Sequence, residues 1–437
     1  MFVSGRRYLY LLFICLTVLS GCKSQAIKEN FAPEVSYADS YISVPPSQSH
    51  FISLLVSGDY LTLELELDGY YQAYLDNPMN DQALDWAYSS FEVDNLEFLK
   101  FLDLWVKNSP KNYYPYLARG IYFTHMGGLS RGTRYANETS KEQFFQMEKY
   151  FENALADFEK TESIREHLLP EYCAKSYIYR ASRRELSRSE QKANLIAYAD
   201  GMLKAHPYSS VIRHCFMTSL LPRWHGSYPE MISQAKRTKS RWNINPKLKS
   251  LYFRVPIDKA EMEVSIGRFS KALEILDKVL EYGNDAGVLA AKGDVYMRLR
   301  DDEKAIQFYE LSLKQDLYNS KVSSVFTPLV YKVAIDEFQA NRYDQARGML
   351  DKILFINSTD HYALLLYGRS FMLEQRFNDS VGYLKQSIDA NPFFQPAWQY
   401  LLASLAQIGD EAGLTEYCLQ AAVVFPSVEC PKIDIRS

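Results

Sequence analysis

The 437-residue chain is poor in turn-forming residues, with 19 Gly and 17 Pro. That scarcity argues against a turn-rich all-β fold. It also lacks a basic excess. Lys and Arg number 49 against 53 Asp and Glu, for a net charge of −4. A dedicated nucleic-acid binder usually carries a clear basic surplus, so no nucleic-acid partner is expected. There is no HExxH, no CxxC and no phosphate-loop Gly-Lys-Ser/Thr. Zinc-protease, thiol-exchange and P-loop chemistry therefore have no motif to rest on. The seven histidines stand at no ordinary zinc spacing. No catalytic residue, metal ligand or cofactor is assigned, and the chain is not read as an enzyme. What is abundant is aromatic: 33 Tyr, 24 Phe and 5 Trp, 14% of the chain.

The N-terminus reads as an address. Arg6 and Arg7 precede an apolar run from Tyr8 to Leu19. That run is too short for a membrane span, which takes roughly 20 residues, and fits the core of a secretory leader. Leu19-Ser20-Gly21-Cys22 follows. It resembles the bacterial lipobox. The resemblance implies cleavage before Cys22 and lipidation of its sulfur, with residues 1–21 as the leader; an ordinary cleaved signal and an uncleaved anchor are the alternatives. Lys23, rather than Asp, implies the outer membrane, with the body in the periplasm or at the cell surface. Residues 22–49 hold Pro33, Pro45 and Pro46 and no lasting periodicity. They read as a tether. No other run of about 18 apolar residues exists, so a lipid on Cys22 would be the sole membrane contact.

Residues 251–437 carry an internal repeat. In 363–392, Gly368 allows close helix approach, Tyr367 and Phe371 lie on its face, and Ser380, Leu384 and Ser387 follow on a second helix. The same register starts near Phe253, Ala286, Thr327, His361 and Gln395, at separations of 33, 41, 34 and 34. This pattern resembles the tetratricopeptide repeat, whose small residues let two helices pack while large ones fill the gaps. The resemblance implies an all-α, tetratricopeptide-like helical-repeat solenoid. The separation of 41 is read as a longer turn around 317–329.

Residues 50–250 read as less regular helix. LTLELEL within 58–76 alternates like a strand, but Leu and Glu favour a helix that runs on through DGYYQAYL. Gly120 and Ala154 look like a repeat pair. They stand 34 apart instead of about 12, which implies an insertion near 125–142. WVKNSPKNYYPYLARGIYF, RGTRYANETSKEQF and LLPRWHGSYPEM resemble a bacterial helical-repeat domain of unknown function. In that family the last string reads more like KWGGS; here His225 replaces one Gly. The family carries no established activity.

Two places invite a partner. Arg131, Arg134 and Tyr135 in the insertion would suit an acidic contact, or the insertion is a structural clasp. Arg223, Trp224 and His225 would line a pocket, or they form a turn in which Ser227 and Glu230 cap the next helix. An exported chain can oxidise its cysteines. The expected pairs are Cys418 with Cys430 and Cys173 with Cys215, the alternative for each being a small apolar residue in a helix contact. Tyrosines on a concave face would suit an extended peptide or a glycan, or they are inter-helix packing. Together these features imply a non-catalytic, outer-membrane-anchored scaffold that binds another cell-envelope protein. A glycan- or small-ligand-binding module is the alternative, and an enzyme or enzyme cofactor of cell-wall metabolism a third.

Overall fold

A computed structural model describes residues 47–132, 138–182, 187–425 and 431. The leader, Cys22, Arg134, Tyr135 and Cys430 lie outside the described residues. All regular structure among the described residues is helical. The chain forms two units. One holds residues up to 266 together with 274–284; the other holds 267–273 together with 285 onward.

The first unit contains α1 (Gln48–Ser57), α2 (Tyr60–Asp76), α3 (Asp81–Ser89), α4 (Leu99–Asn108), α5 (Tyr114–Arg131), α6 (Lys141–Ile164), α7 (Leu169–Ala181), α8 (Arg188–Ala205), α9 (Ser210–Ser219), α10 (Tyr228–Lys236) and α11 (Arg254–Ser265). LTLELEL lies inside α2. The helical period buries Leu63, Leu67, Tyr71 and Tyr74 and leaves Leu61 and Leu65 in solvent. The apparent alternation comes from a helix with leucines on both faces.

Among its described residues the expected 125–142 insertion is mostly helix. The surplus residues lengthen α5 to 18 residues and α6 to 24. A Cβ on Gly120 would come within 2.6 Å of the Phe158 ring, and one on Gly127 within 2.5 Å of the Phe151 ring. Both contacts belong to one antiparallel register, since seven residues forward on α5 meets seven back on α6. Gly127 is therefore not a flexible loop residue. It is a packing residue two turns beyond the repeat. Ser140 caps α6 in a reciprocal box with Gln143, and the Gln143 amide donates to the Arg131 carbonyl at 3.3 Å. That bond ties the end of α5 to the start of α6.

Asp81 pins this unit from within. It is fully buried. One of its carboxylate oxygens accepts from the backbone amides of Ser210 (2.5 Å) and Val211 (2.9 Å) and from the hydroxyls of Ser209 and Ser210. A carboxylate 129 residues away thus serves the free amides at the start of α9. Cys173 on α7 and Cys215 on α9 form a disulfide.

Helix α12 (Phe269–Leu280) crosses the boundary between the units. The second unit continues with α13 (Ala286–Leu299), α14 (Asp302–Gln315), α15 (Ser320–Gln339), α16 (Tyr343–Ile356), α17 (His361–Leu373), α18 (Phe377–Ala390), α19 (Gln395–Ile408) and α20 (Glu411–Val424). These are four antiparallel pairs. Their glycines mark the closest approaches: a Cβ on Gly293 would strike the Tyr309 ring at 2.5 Å, and one on Gly368 the Leu384 side chain at 2.7 Å. The turns inside the repeats share a left-handed residue. It is Gly267, Arg300, Asn341, Gln375 and Gly409 in succession, each with φ between 59° and 75°. Their separations reproduce the 33, 41, 34 and 34 of the repeat.

The separation of 41 has a different cause from the one expected. Only residues 316–319 separate α14 from α15, so there is no long turn. The extra residues form roughly two turns at the start of α15, which is 20 residues long and carries Pro328 inside it. Asn319 caps its start by accepting from the Val322 amide at 3.2 Å.

Candidate functional site

Arg223, Trp224 and His225 form a turn between α9 and α10. His225 takes a left-handed conformation with φ 67°, the one glycine adopts most easily. A Cβ on Gly226 would lie 2.0 Å from the Leu220 carbonyl oxygen, so glycine is obligatory there. Ser227 accepts from the Glu230 amide as the N-cap of α10. The Glu230 carboxylate reaches back to Ser227, and Lys192 first, then the Ser227 hydroxyl and amide, lower its pKa. It takes the Ser227 hydroxyl at 2.8 Å and the Lys192 ammonium at 2.7 Å. Arg223 is paired with Asp258, which also accepts from the Tyr228 hydroxyl at 2.9 Å. Trp224 is half-buried under the Arg180 guanidinium. The His214 ring bonds the Ser250 hydroxyl at 2.8 Å. Burial, then Arg254 and Lys247, push its pKa down to about 3.

Arg131 donates to the neighbouring Gly132 carbonyl. Gly128-Leu129-Ser130-Arg131-Gly132 fits the Gly-x-Ser-x-Gly spacing of a nucleophile elbow. Here the string ends a helix, and the Ser130 hydroxyl donates to the Met126 carbonyl at 2.9 Å. No strand-to-helix turn exposes that serine, so the spacing carries no hydrolase chemistry. Among the described residues no group of three or more His, Cys, Asp or Glu side chains is placed to hold a metal ion. Nor is any described helix long and apolar enough to cross a membrane.

Two features were not singled out from the sequence. The first is a cleft of about 480 Å³ in the first unit, between α3, α5 and α7. Asp85, Glu92, His125 and Tyr177 line it, with Ile121 and Leu129 among its apolar walls. His125 is paired with Asp94 at its edge. Burial, followed by Glu92 and Asp81, pushes Asp85 up to about 7. Glu92 is also raised, chiefly by loss of water. The acidic residues come from α3 and the segment after it, and the histidine from α5, so no linear motif announces them.

The second is a row across the first helices of three successive pairs in the second unit. Arg369 on α17 lies over Phe338 on α15 at 5.3 Å and over Tyr400 on α19 at 5.6 Å. Beside it Tyr331, Tyr362 and Phe394 form a chain of ring contacts at 5.3 and 6.3 Å. Tyr331 donates to Asp360 at 2.5 Å. Among the described residues Arg369 has ring partners but no ion pair. The tyrosine-rich composition hints at such a surface. Only the stacking of the pairs brings these residues into one row.

No family model and no curated protein matches the chain. Solved structures do. A crystal structure of MamA is 17% identical over 38% of this chain and 93% of its own, with a TM-score of 0.25. A second MamA structure is 19% identical over 41% and 95%, with a TM-score of 0.27. YrrB, described as a TPR protein with an unusual peptide-binding site, is 19% identical over 39% and 86%, with a TM-score of 0.25. The fold assignment stands on the chain's own helix pairs, close-approach glycines and recurring left-handed turns: it is an all-α, tetratricopeptide-like helical-repeat protein of the solenoid class.

Proposed function

We propose that this protein is a non-catalytic, lipid-anchored adaptor that holds another cell-envelope protein through its repeat surface. Stacked helix pairs present long surfaces, and proteins of this class commonly use them to bind other proteins. The observation that carries the reading is the Phe338–Arg369–Tyr400 row with the adjoining Tyr331, Tyr362 and Phe394. Aromatic and arginine side chains are the residue types that most often anchor protein interfaces. An arginine held near two rings with no ion pair of its own keeps N–H donors for a partner's carboxylate or carbonyl. The lipobox at Leu19–Cys22 supports an anchor, and Lys23 supports the outer membrane.

The rings favour a protein over a glycan. A sugar stacks on an open ring face. Here the rings are half-buried and meet one another at 54° and 70°, with Tyr362 the exposed member. The test is photo-crosslinking in cells from p-benzoylphenylalanine at Tyr362. One or two envelope proteins should be captured, and capture should fail in Arg369→Glu and fall in Cys22→Ser. Capture that ignores Arg369, or no captured protein at normal expression, would refute the adaptor reading.

A further inference from the structure

We propose that the cleft between α3, α5 and α7 is a binding site for an alkylammonium group, carried by a free diamine or by a lysine side chain. This goes beyond the adaptor reading and rests on a different unit. The cleft, about 480 Å³, falls in the range of small-ligand sites. Its lining contains two carboxylates, Asp85 and Glu92, and no Lys or Arg.

The protein does not supply donors to those carboxylates. Among the described residues neither Asp85 nor Glu92 has a side-chain hydrogen bond or an ion pair. The nearby hydroxyls are spent elsewhere. Ser89 donates to the Asp85 backbone carbonyl at 3.1 Å, and Thr124 donates to the Gly120 carbonyl at 2.8 Å. His125 is engaged by Asp94. Two acceptors therefore face the cleft without a hydrogen-bond donor from the protein, Asp85 half-buried and Glu92 nearer the solvent. An ammonium brings three donors and the opposite charge. The raised pKa of Asp85 reports the same deficit, since burial and like charge disfavour its ionised form.

The walls decide the kind of cation. Ile121, Leu129, Pro170, Ala174 and the Tyr177 ring are apolar surface. They suit a methylene chain and do nothing for a hydrated metal ion. A hard divalent cation needs about six oxygen ligands, and the described residues offer no such group. The occupant that fits is a charged head on an apolar stem.

Calorimetry on the full-length protein at pH 8, where Asp85 is ionised, tests this. The probes are 1,5-diaminopentane, Nα-acetyl-lysine amide and the neutral 1,5-pentanediol. At least one amine should bind, and the diol at least tenfold more weakly. Tighter binding of the diamine identifies a free amine as the ligand; tighter binding of the lysine amide identifies a partner's side chain. Asp85→Asn and Glu92→Gln should each weaken the amine about tenfold or more. Leu129→Trp, at a site that is 44% exposed, should block the mouth while leaving the helical circular dichroism intact. The proposal is overturned if the diol binds as well as the amines, if neither amine binds, or if the amine binds Leu129→Trp unchanged. None of these outcomes touches the Tyr362 crosslinking result, so the two readings fail separately.

Discussion

At the scale of single residues, the turn at 223–227 carries a measurable conformational cost. His225 occupies a left-handed position, which costs an L-residue roughly 1–2 kcal/mol. His225→Gly should therefore stabilise the protein by about 1 kcal/mol in urea unfolding. Gly226→Ala should destabilise it by about 3 kcal/mol, because its Cβ would meet backbone that cannot swing away. Two half-buried titrating groups act in opposite directions. The pKa of His214 is lowered from 6.5 to about 3. The stability it supports is present above pH 6.5 and drains away as pH falls toward 3. His214→Asn should flatten that acid limb. Asp85 is raised from 3.8 to about 7. The folded state then holds a proton the unfolded state has lost, so this group costs stability as pH rises from about 4 to 7. Asp85→Asn should flatten that rise-linked loss in unfolding curves measured pH by pH. A parallel slope in either variant would show that the group titrates normally.

At the scale of elements, the repeat is a recurring set of contacts. Ser312 donates to the Ala286 carbonyl and Ser387 to the His361 carbonyl, both at 2.7 Å and both across 26 residues. The same serine position thus binds the same end of the first helix in two pairs. The small residue is chosen for its hydroxyl as well as its size. Gly293 must stay small because the Tyr309 ring, anchored by its hydroxyl to Asp294 at 2.6 Å, lies against it. Gly293→Leu should destabilise by about 1–3 kcal/mol in chemical denaturation. An unchanged midpoint would refute the register. Arg347 locks the next joint. Its guanidinium reaches the Ser370 hydroxyl and both oxygens of Glu374, and it lies 4.5 Å over the Phe371 ring.

At the scale of the molecule, long-range ties organise the irregular first unit. The Cys173–Cys215 bridge closes a loop of 42 residues. Chain-entropy reasoning puts its contribution at about 4 kcal/mol. The double change Cys173→Ala with Cys215→Ala should lower unfolding stability by several kcal/mol, and dithiothreitol should do the same to the unaltered protein. Cys418 is also in a disulfide, while Cys430 lies outside the described residues. The buried Asp81 cap is a second tie. Asp81→Ala would strand the amides of Ser210 and Val211, and because Asp81 and the bridge both hold α9, the two costs couple rather than simply add.

Much of the architecture could be read along the chain. Helix period, close-approach glycines and the 33, 41, 34, 34 spacing are local or nearly local quantities, and a repeat displays them several times over. Gly293 and Gly368 were legible as packing residues because Tyr309 and Leu384 fall at a helix-pair distance from them, whereas Phe158 stands much farther along the chain from Gly120. The nature of the two insertions was not. An extra seven residues before Thr327 can lengthen a turn or a helix, and packing against the next pair chose the helix. The stretch near 125–142, read as an insertion, was likewise decided by glycine-to-phenylalanine contacts that extend α5 and α6. The cleft was hidden for a stronger reason. Asp85, Glu92, His125 and Tyr177 meet only when three helices pack, and the lack of a neutralising cation is a property of that packing. The sequence by itself determined a repeat-built, all-helical chain. The tertiary structure decided which of its many tyrosines, arginines and acids face one another, because only helix packing brings residues far apart in the chain within reach.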